Sequence, residues 1–87
     1  MKEPKSVIAK IKLIKKALKM PFHAFYRDGD YWIFWVENEK GAHLDWSSPM
    51  IVGAVEDAMS YVRHEIEMGA IADPDGRKKE DKKDDTK

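Results

Sequence analysis

The sequence predicts a two-layer α+β domain in the order helix, three antiparallel strands, helix (α-β-β-β-α), with both helices on one sheet face. Apolar residues recur at helical spacing over residues 6–20 and again over 48–68. Eight of the nine aromatic residues lie between residues 22 and 46, where two turn signals divide the chain. A chain of 87 residues holds one domain. We assign that domain to residues 1–72 and predict a disordered charged tail at 73–87.

The first helix is expected over residues 6–20. Val7, Ile11, Ile14 and Leu18 recur at spacings of four, three and four, which places them on one stripe of a helix. Ser6 precedes this stripe and is the expected N-cap, and a proline at position 21 ends the segment.

The sheet is expected over residues 22–46. An Asp28-Gly29 loop in a type I′ turn would pair Arg27 with Asp30. A second loop of four residues, 38–41, would pair Glu37 with Ala42 and start a third strand.

The second helix is predicted to start with Ser48 as N-cap and Pro49 at the first helical position. Gly69 follows the last apolar residue of the helical pattern and is the expected terminating glycine. Gly53, near the start of the helix, is predicted to be a position of close packing.

This pairing sorts the strand side chains onto two faces, because successive side chains of a strand point to opposite sides. One face carries Phe22, Ala24, Tyr26, Tyr31, Ile33, Trp35, Leu44 and Trp46; the other carries His23, Phe25, Arg27, Asp30, Trp32, Phe34, Val36, His43 and Asp45. We expect the first face to be the core beneath the helices and the second to be exposed. Two alternatives remain open. A slip of one residue in register would exchange the two faces, and a larger sheet or a tail folded over the second face would bury it.

An exposed face with this composition indicates a protein-binding surface, since interfaces are enriched in aromatic residues and arginine. The predicted contact residues are Phe25, Arg27, Trp32, Phe34, Val36 and His43. The leading hypothesis is a small non-enzymatic regulator, inhibitor or antitoxin-like partner of another protein. Homodimerisation through the same face or through an edge strand is its nearest variant.

The formal net charge of zero is unevenly distributed along the chain. Residues 1–20 carry seven lysines and one glutamate, a formal charge of +6, whereas residues 21–72 carry −6. The simplest interpretation is that the basic segment packs beside the acidic one. The alternative function is nucleic-acid binding through Lys12, Lys15, Lys16 and Lys19 on the polar side of the first helix.

The residue types argue against catalysis, metal binding and cofactor binding. The chain has no cysteine and no glycine-rich phosphate loop. His23 and Asp45 fall on strands separated by the middle one, too far apart for shared metal coordination. No apolar run is long enough to cross a bilayer, and we expect a cytoplasmic protein without cofactor, metal or small-molecule substrate.

Two families share features with this chain. The element order over residues 6–68 resembles that of double-stranded-RNA-binding domains, but residues 47–52 carry none of the lysines with which their second helix starts. Tyr31-Trp32 after Asp28-Gly29, with Glu56-Asp57-Ala58 in the helix, resembles HicB-type antitoxins, which start directly with the strand. We assign the chain to neither family.

Overall fold

The computed structural model describes residues 2–74 and confirms the predicted fold class. Two helices flank three strands, in the order α1 (Val7–Leu18), β1 (Phe22–Asp28), β2 (Tyr31–Glu37), β3 (His43–Ser48) and α2 (Ile51–Glu67). The strands form one antiparallel sheet in the order β1-β2-β3, so β2 is central and β1 and β3 are edges. Within residues 2–74, no helix has the length and apolar character needed to cross a membrane.

Helix α1 begins as predicted and ends slightly earlier. The Ser6 side chain accepts a hydrogen bond from the backbone N–H of Ala9, at 3.1 Å, and so satisfies one of the free donors at the helix start. At the other end Lys19 is the C-cap in the left-handed conformation, with φ 59° and ψ 43°. The predicted helix therefore stops before residues 19 and 20.

The β1–β2 hairpin differs from the predicted register by two residues. Asp28 pairs with Tyr31, so the loop is Gly29-Asp30 and the predicted Arg27–Asp30 pair is wrong. Gly29 has φ +63° at the first loop position, where a type II′ turn requires glycine. Because the shift is even, β1 and β2 keep the predicted partition of their side chains between the two faces.

The β2–β3 register differs by one residue, and this changes the face of every β3 side chain. Glu37 pairs with His43 instead of Ala42, so the connection has five residues, 38–42. Asn38 stabilises this longer loop, because its side-chain oxygen accepts the N–H groups of Lys40 at 2.9 Å and Ala42 at 3.0 Å. As a result, Leu44 and Trp46 lie on the face that carries Phe34.

The helices cover the face that was predicted to be exposed, so the face assignment from sequence is wrong. With Leu44 and Trp46 added, that face is continuously apolar at its centre and has no carboxylate, so it is the cheaper face to bury. The core consists of Ile11, Ile14, Ala17, Phe34, Val36, Ala54, Val55, Ala58, Met59 and Val62, with Phe25, Leu44 and Trp46 packed against it. Phe34 stacks with Phe25 and Trp46 at centroid distances of 4.9 and 5.9 Å.

Helix α2 starts two residues later than predicted. Ser48 is the last residue of β3, and its hydroxyl accepts the N–H of Met50 at 3.3 Å. Met50 is the N-cap, without a side-chain cap hydrogen bond. A Cβ added to Gly53 would lie 2.2 Å from the Ser48 hydroxyl oxygen, which confirms close packing there. Gly69 has φ +80° just after the helix, as expected of a terminating glycine.

The helices pack side by side on the sheet and their charges partly compensate. Lys10 of α1 forms an ion pair with Glu56 of α2, and Glu3 pairs with Arg63. Residues 70–74 lie beside the C-terminal turn of α1, where Asp73 is buried although the sequence places it in the tail. The rest of the predicted tail, residues 75–87, lies outside the described residues.

Candidate protein-binding surface

The sheet face opposite the helices, called the open face below, is the candidate site. It consists of alternate residues of the three strands, Phe22, Ala24, Tyr26, Asp28, Tyr31, Ile33, Trp35, Glu37, His43, Asp45 and Ser47. Eight of these eleven residues are exposed, Trp35 and Glu37 are half-buried, and only Ile33 is buried by its neighbours. Most side chains of the open face are therefore accessible to solvent.

Trp35 organises the centre of the open face. On one side its ring stacks on His43, with centroids 4.0 Å apart and an interplanar angle of 8°. On the other side lies Tyr26, at 6.4 Å and 57°. The indole Nε1 donates a hydrogen bond to Glu37 Oε1 at 3.0 Å. A single aromatic row thus crosses β1, β2 and β3, and Trp35 is held in place by contacts on both sides and in the ring plane.

The aromatic residues around this row are largely in contact with solvent. Phe22, Tyr26 and Tyr31 are 56%, 45% and 48% exposed. Three large aromatic side chains are therefore accessible to solvent on one face of the sheet.

The charge of the open face is entirely acidic. Asp28, Glu37 and Asp45 give it a formal charge of −3, and none of the eleven residues is lysine or arginine. Asp28 lies at the hairpin end of β1 and Glu37 at the opposite end of β2, while Asp45 lies on β3 opposite Trp35. The carboxylates therefore surround the aromatic row on three sides.

Three of the six predicted contact residues contribute to the core instead. Phe34 and Val36 are completely buried, and Phe25 is half-buried against Phe34. Buried side chains cannot contact a partner without unfolding the domain. The prediction that these three form the exposed contact is wrong, because it followed from the mistaken β2–β3 register.

The other three predicted residues are accessible but lie on different faces. His43 is on the open face, against Trp35. Arg27 and the half-buried Trp32 lie on the opposite face near the hairpin, where the guanidinium carbon is 5.2 Å from the Trp32 ring centroid. The Arg27 side chain also donates to the backbone oxygen of Gly29, at 3.1 Å from Nη2. These contacts stabilise the hairpin. Of the three residues, only His43 lies on the open face and belongs to the candidate site.

Sequence reasoning missed Tyr26, Trp35, Phe22 and Tyr31 as contact residues, although a signal for them was present. Strand alternation alone places Asp28 on the face of Tyr26 within β1, and Glu37 on the face of Trp35 within β2. A face with carboxylates is costly to cover with helices. The mistaken registers concealed this signal, because they placed Asp30 and Asp45 on the face that carries Phe34, whereas Asp45 pairs with Trp35 on the open face.

The lysines form a second feature, separate from the open face. Lys15, Lys16 and Lys19 of the α1 end line a groove of about 690 Å³ with Met20, Pro21 and the loop residues Asn38, Glu39 and Lys40. Lys12, the fourth predicted lysine, is exposed and does not line this groove. Folding thus adds Lys40, which is distant in sequence, to three of the four predicted residues.

His23 of β1 is coupled to this basic cluster. Lys15 Nζ lies 3.0 Å from His23 Nδ1, so the ammonium donates and the neutral ring accepts. Partial burial, and secondarily the positive charge of Lys15, lower the pKa of His23 below its ordinary value of 6.5. The imidazole is therefore neutral near neutral pH.

Residues 2–74 contain no group of three histidine or acidic side chains placed to hold a metal ion. Comparison of the chain with protein-family models, curated proteins and solved structures finds no match in any of the three. The candidate site is therefore defined by its own geometry and charge.

Proposed function

We propose that the chain is a small non-enzymatic protein-binding module that contacts its partner through the open face. The observation that carries this proposal is the aromatic row of Tyr26, Trp35 and His43, bordered by the exposed rings of Phe22 and Tyr31. Tyrosine and tryptophan at the centre of a contact dominate binding energies between proteins. A module of this kind acts by occupying a surface of its partner, as a regulator or inhibitor does.

The fixed position of Trp35 supports the proposal. Trp35 lies on the central strand and is held by His43, Tyr26 and Glu37. Binding therefore orders few additional rotamers, which lowers the entropic cost of association.

The test removes one ring of the open face and compares it with a matched exposed apolar residue elsewhere. Tyr26→Ser alters the aromatic row, whereas Ile8→Ser alters an α1 side chain that is 69% exposed. Both variants, checked by circular dichroism, are used with wild type to capture proteins from the source cells. We expect a partner that wild type and Ile8→Ser retain and that Tyr26→Ser binds about 30-fold more weakly. Equal retention by Tyr26→Ser would contradict the proposal.

The lysine groove supports a second candidate function, binding of nucleic-acid phosphates. The specific observation is that Lys40, which is distant in sequence, lines the same groove as Lys15, Lys16 and Lys19. Phosphate contacts make affinity fall steeply with salt and drop with each lysine removed. Titration of labelled duplex and single-stranded oligonucleotides at 50 and 200 mM salt tests this, with Lys40→Met as the variant and Lys12→Met as the control. Affinity that is independent of salt would exclude it.

A further inference from the structure

The charge of the open face restricts the chemistry of the partner that it accepts. The apolar centre formed by Phe22, Tyr26 and Trp35 requires an apolar counterpart, because rings left half-covered gain little from association. The three surrounding carboxylates and the absence of lysine or arginine on this face require positive charge at the edge of that counterpart.

A second copy of the open face does not meet these requirements. Two open faces in contact would bring six carboxylates together, with no lysine or arginine on either face to balance them. Like charges brought together across an interface oppose association and select against that partner.

Other parts of the chain are also poor occupants. Helix α1 has the right charge, but Ile8 is the large apolar side chain that it exposes, and the aromatic row would stay uncovered. Residues 75–87 contain no aliphatic or aromatic side chain and carry charges of both signs. Met50, Val52 and Met68 are exposed at the ends of α2, but that helix carries a formal charge of −3, the same sign as the open face. We therefore expect the open face to contact another polypeptide.

We propose that the partner contributes a segment in which arginine or lysine residues flank an apolar or aromatic centre. Its apolar side chains lie on Phe22, Tyr26 and Trp35, and its cations approach Asp28, Glu37 and Asp45. The exposed tyrosine rings add attraction for a guanidinium or ammonium group. This inference rests on the proposed protein-binding function and specifies the partner for it.

The experiment selects peptides from a phage-displayed library of random twelve-residue sequences. Wild type is the bait, and phage that also bind Tyr26→Ser are removed first. We expect enriched peptides with a net positive charge and at least one aromatic or large aliphatic residue. Enrichment of neutral or acidic peptides that need Tyr26 would overturn the basic-partner inference and leave the protein-binding function standing. If no peptide depends on Tyr26, both fail.

Charge variants then test the role of each carboxylate with the most enriched peptide. Asp45→Asn and Glu37→Gln should each weaken binding by about two- to five-fold, as expected for exposed ion pairs, and glutamine can still accept the Trp35 hydrogen bond. Asp57→Asn, on the exposed side of α2, is the matched control and should bind like wild type. Equal affinities across all three variants would contradict the electrostatic part of the inference.

Light scattering coupled to size exclusion at 50 mM salt checks the alternative occupant. We expect a monomer for both wild type and Tyr26→Ser. A wild-type dimer that Tyr26→Ser abolishes would show that a second copy occupies the open face, and would overturn the inference.

Discussion

Lys19 stores conformational energy at the end of α1. A residue with a Cβ in the left-handed region costs about 1–2 kcal/mol relative to the right-handed region, and glycine avoids this cost. The conformation is needed here because it lets the N–H of Met20 reach the carbonyl of Lys15, at 2.9 Å. The turn into β1 therefore depends on a residue poorly suited to its backbone angles.

We predict that Lys19→Gly raises the free energy of unfolding by about 1 kcal/mol. Lys16→Gly, three residues earlier within the helix, should lower it by about 1 kcal/mol, because glycine in a right-handed helix loses more entropy. Urea denaturation of both variants measures the two values. Changes of the same sign would show that Lys19 is not strained.

His23 makes folding depend on pH. Its pKa is lowered in the folded state, so between its folded and unfolded pKa values the unfolded chain binds more protons. The contribution of neutral His23 to the free energy of unfolding is fully present above pH 6.5. It is lost as the pH falls from 6.5 through the folded pKa of His23.

We predict that Lys15→Met raises the pKa of His23 towards 6.5, because it removes the positive charge that contributes to the shift. Partial burial is the larger cause, so the recovery is incomplete. NMR titration of the imidazole signal, assigned with His23→Gln, measures the effect. Lys12→Met, on the same helix without a contact to His23, should leave the titration unchanged; an equal response to both variants would rule out the Lys15 contact as a cause.

At the scale of elements, the helices follow from local sequence, whereas the sheet register does not. The spacing of Val7, Ile11 and Ile14 with Ser6 as N-cap defines α1 whatever surrounds it. The register of β3 depends on the length of the loop 38–42, which two hydrogen bonds to the Asn38 side chain stabilise. Turn residues in the sequence indicate a loop there but do not give its length.

We predict that Asn38→Ala lowers the free energy of unfolding by about 1–2 kcal/mol, since it removes two hydrogen bonds that each contribute a net of roughly 0.5–1.5 kcal/mol. Asn38→Asp keeps an acceptor and should cost less. Thermal denaturation gives the stabilities, and NMR cross-strand contacts between Glu37 and His43 report the register. Unchanged stability in Asn38→Ala would show that another feature sets the loop length.

At the scale of the whole molecule, that single loop decides which surface meets solvent. The observed register, one residue different from the predicted one, places Leu44 and Trp46 on the face that the helices cover. It leaves the acidic residues of the strands on the open face. The sequence therefore predicted the architecture and an exposed sheet face with aromatic residues, but it assigned the exposure to the wrong face. Only His43 of the six predicted contact residues lies on the open face.

The two sheet faces differ in how much the free energy of unfolding falls when an aromatic ring is removed. Phe34 is completely buried between Phe25 and Trp46, so Phe34→Ala should lower the free energy of unfolding by about 3–5 kcal/mol. Tyr26 is 45% exposed, and Tyr26→Ala should cost only about 1 kcal/mol. Urea denaturation compares them, with Phe34→Leu as a milder variant that retains a folded domain. A larger loss for Tyr26→Ala than for either Phe34 variant would place the core on the other face, and the partner surface would then revert to Phe25, Trp32 and Phe34.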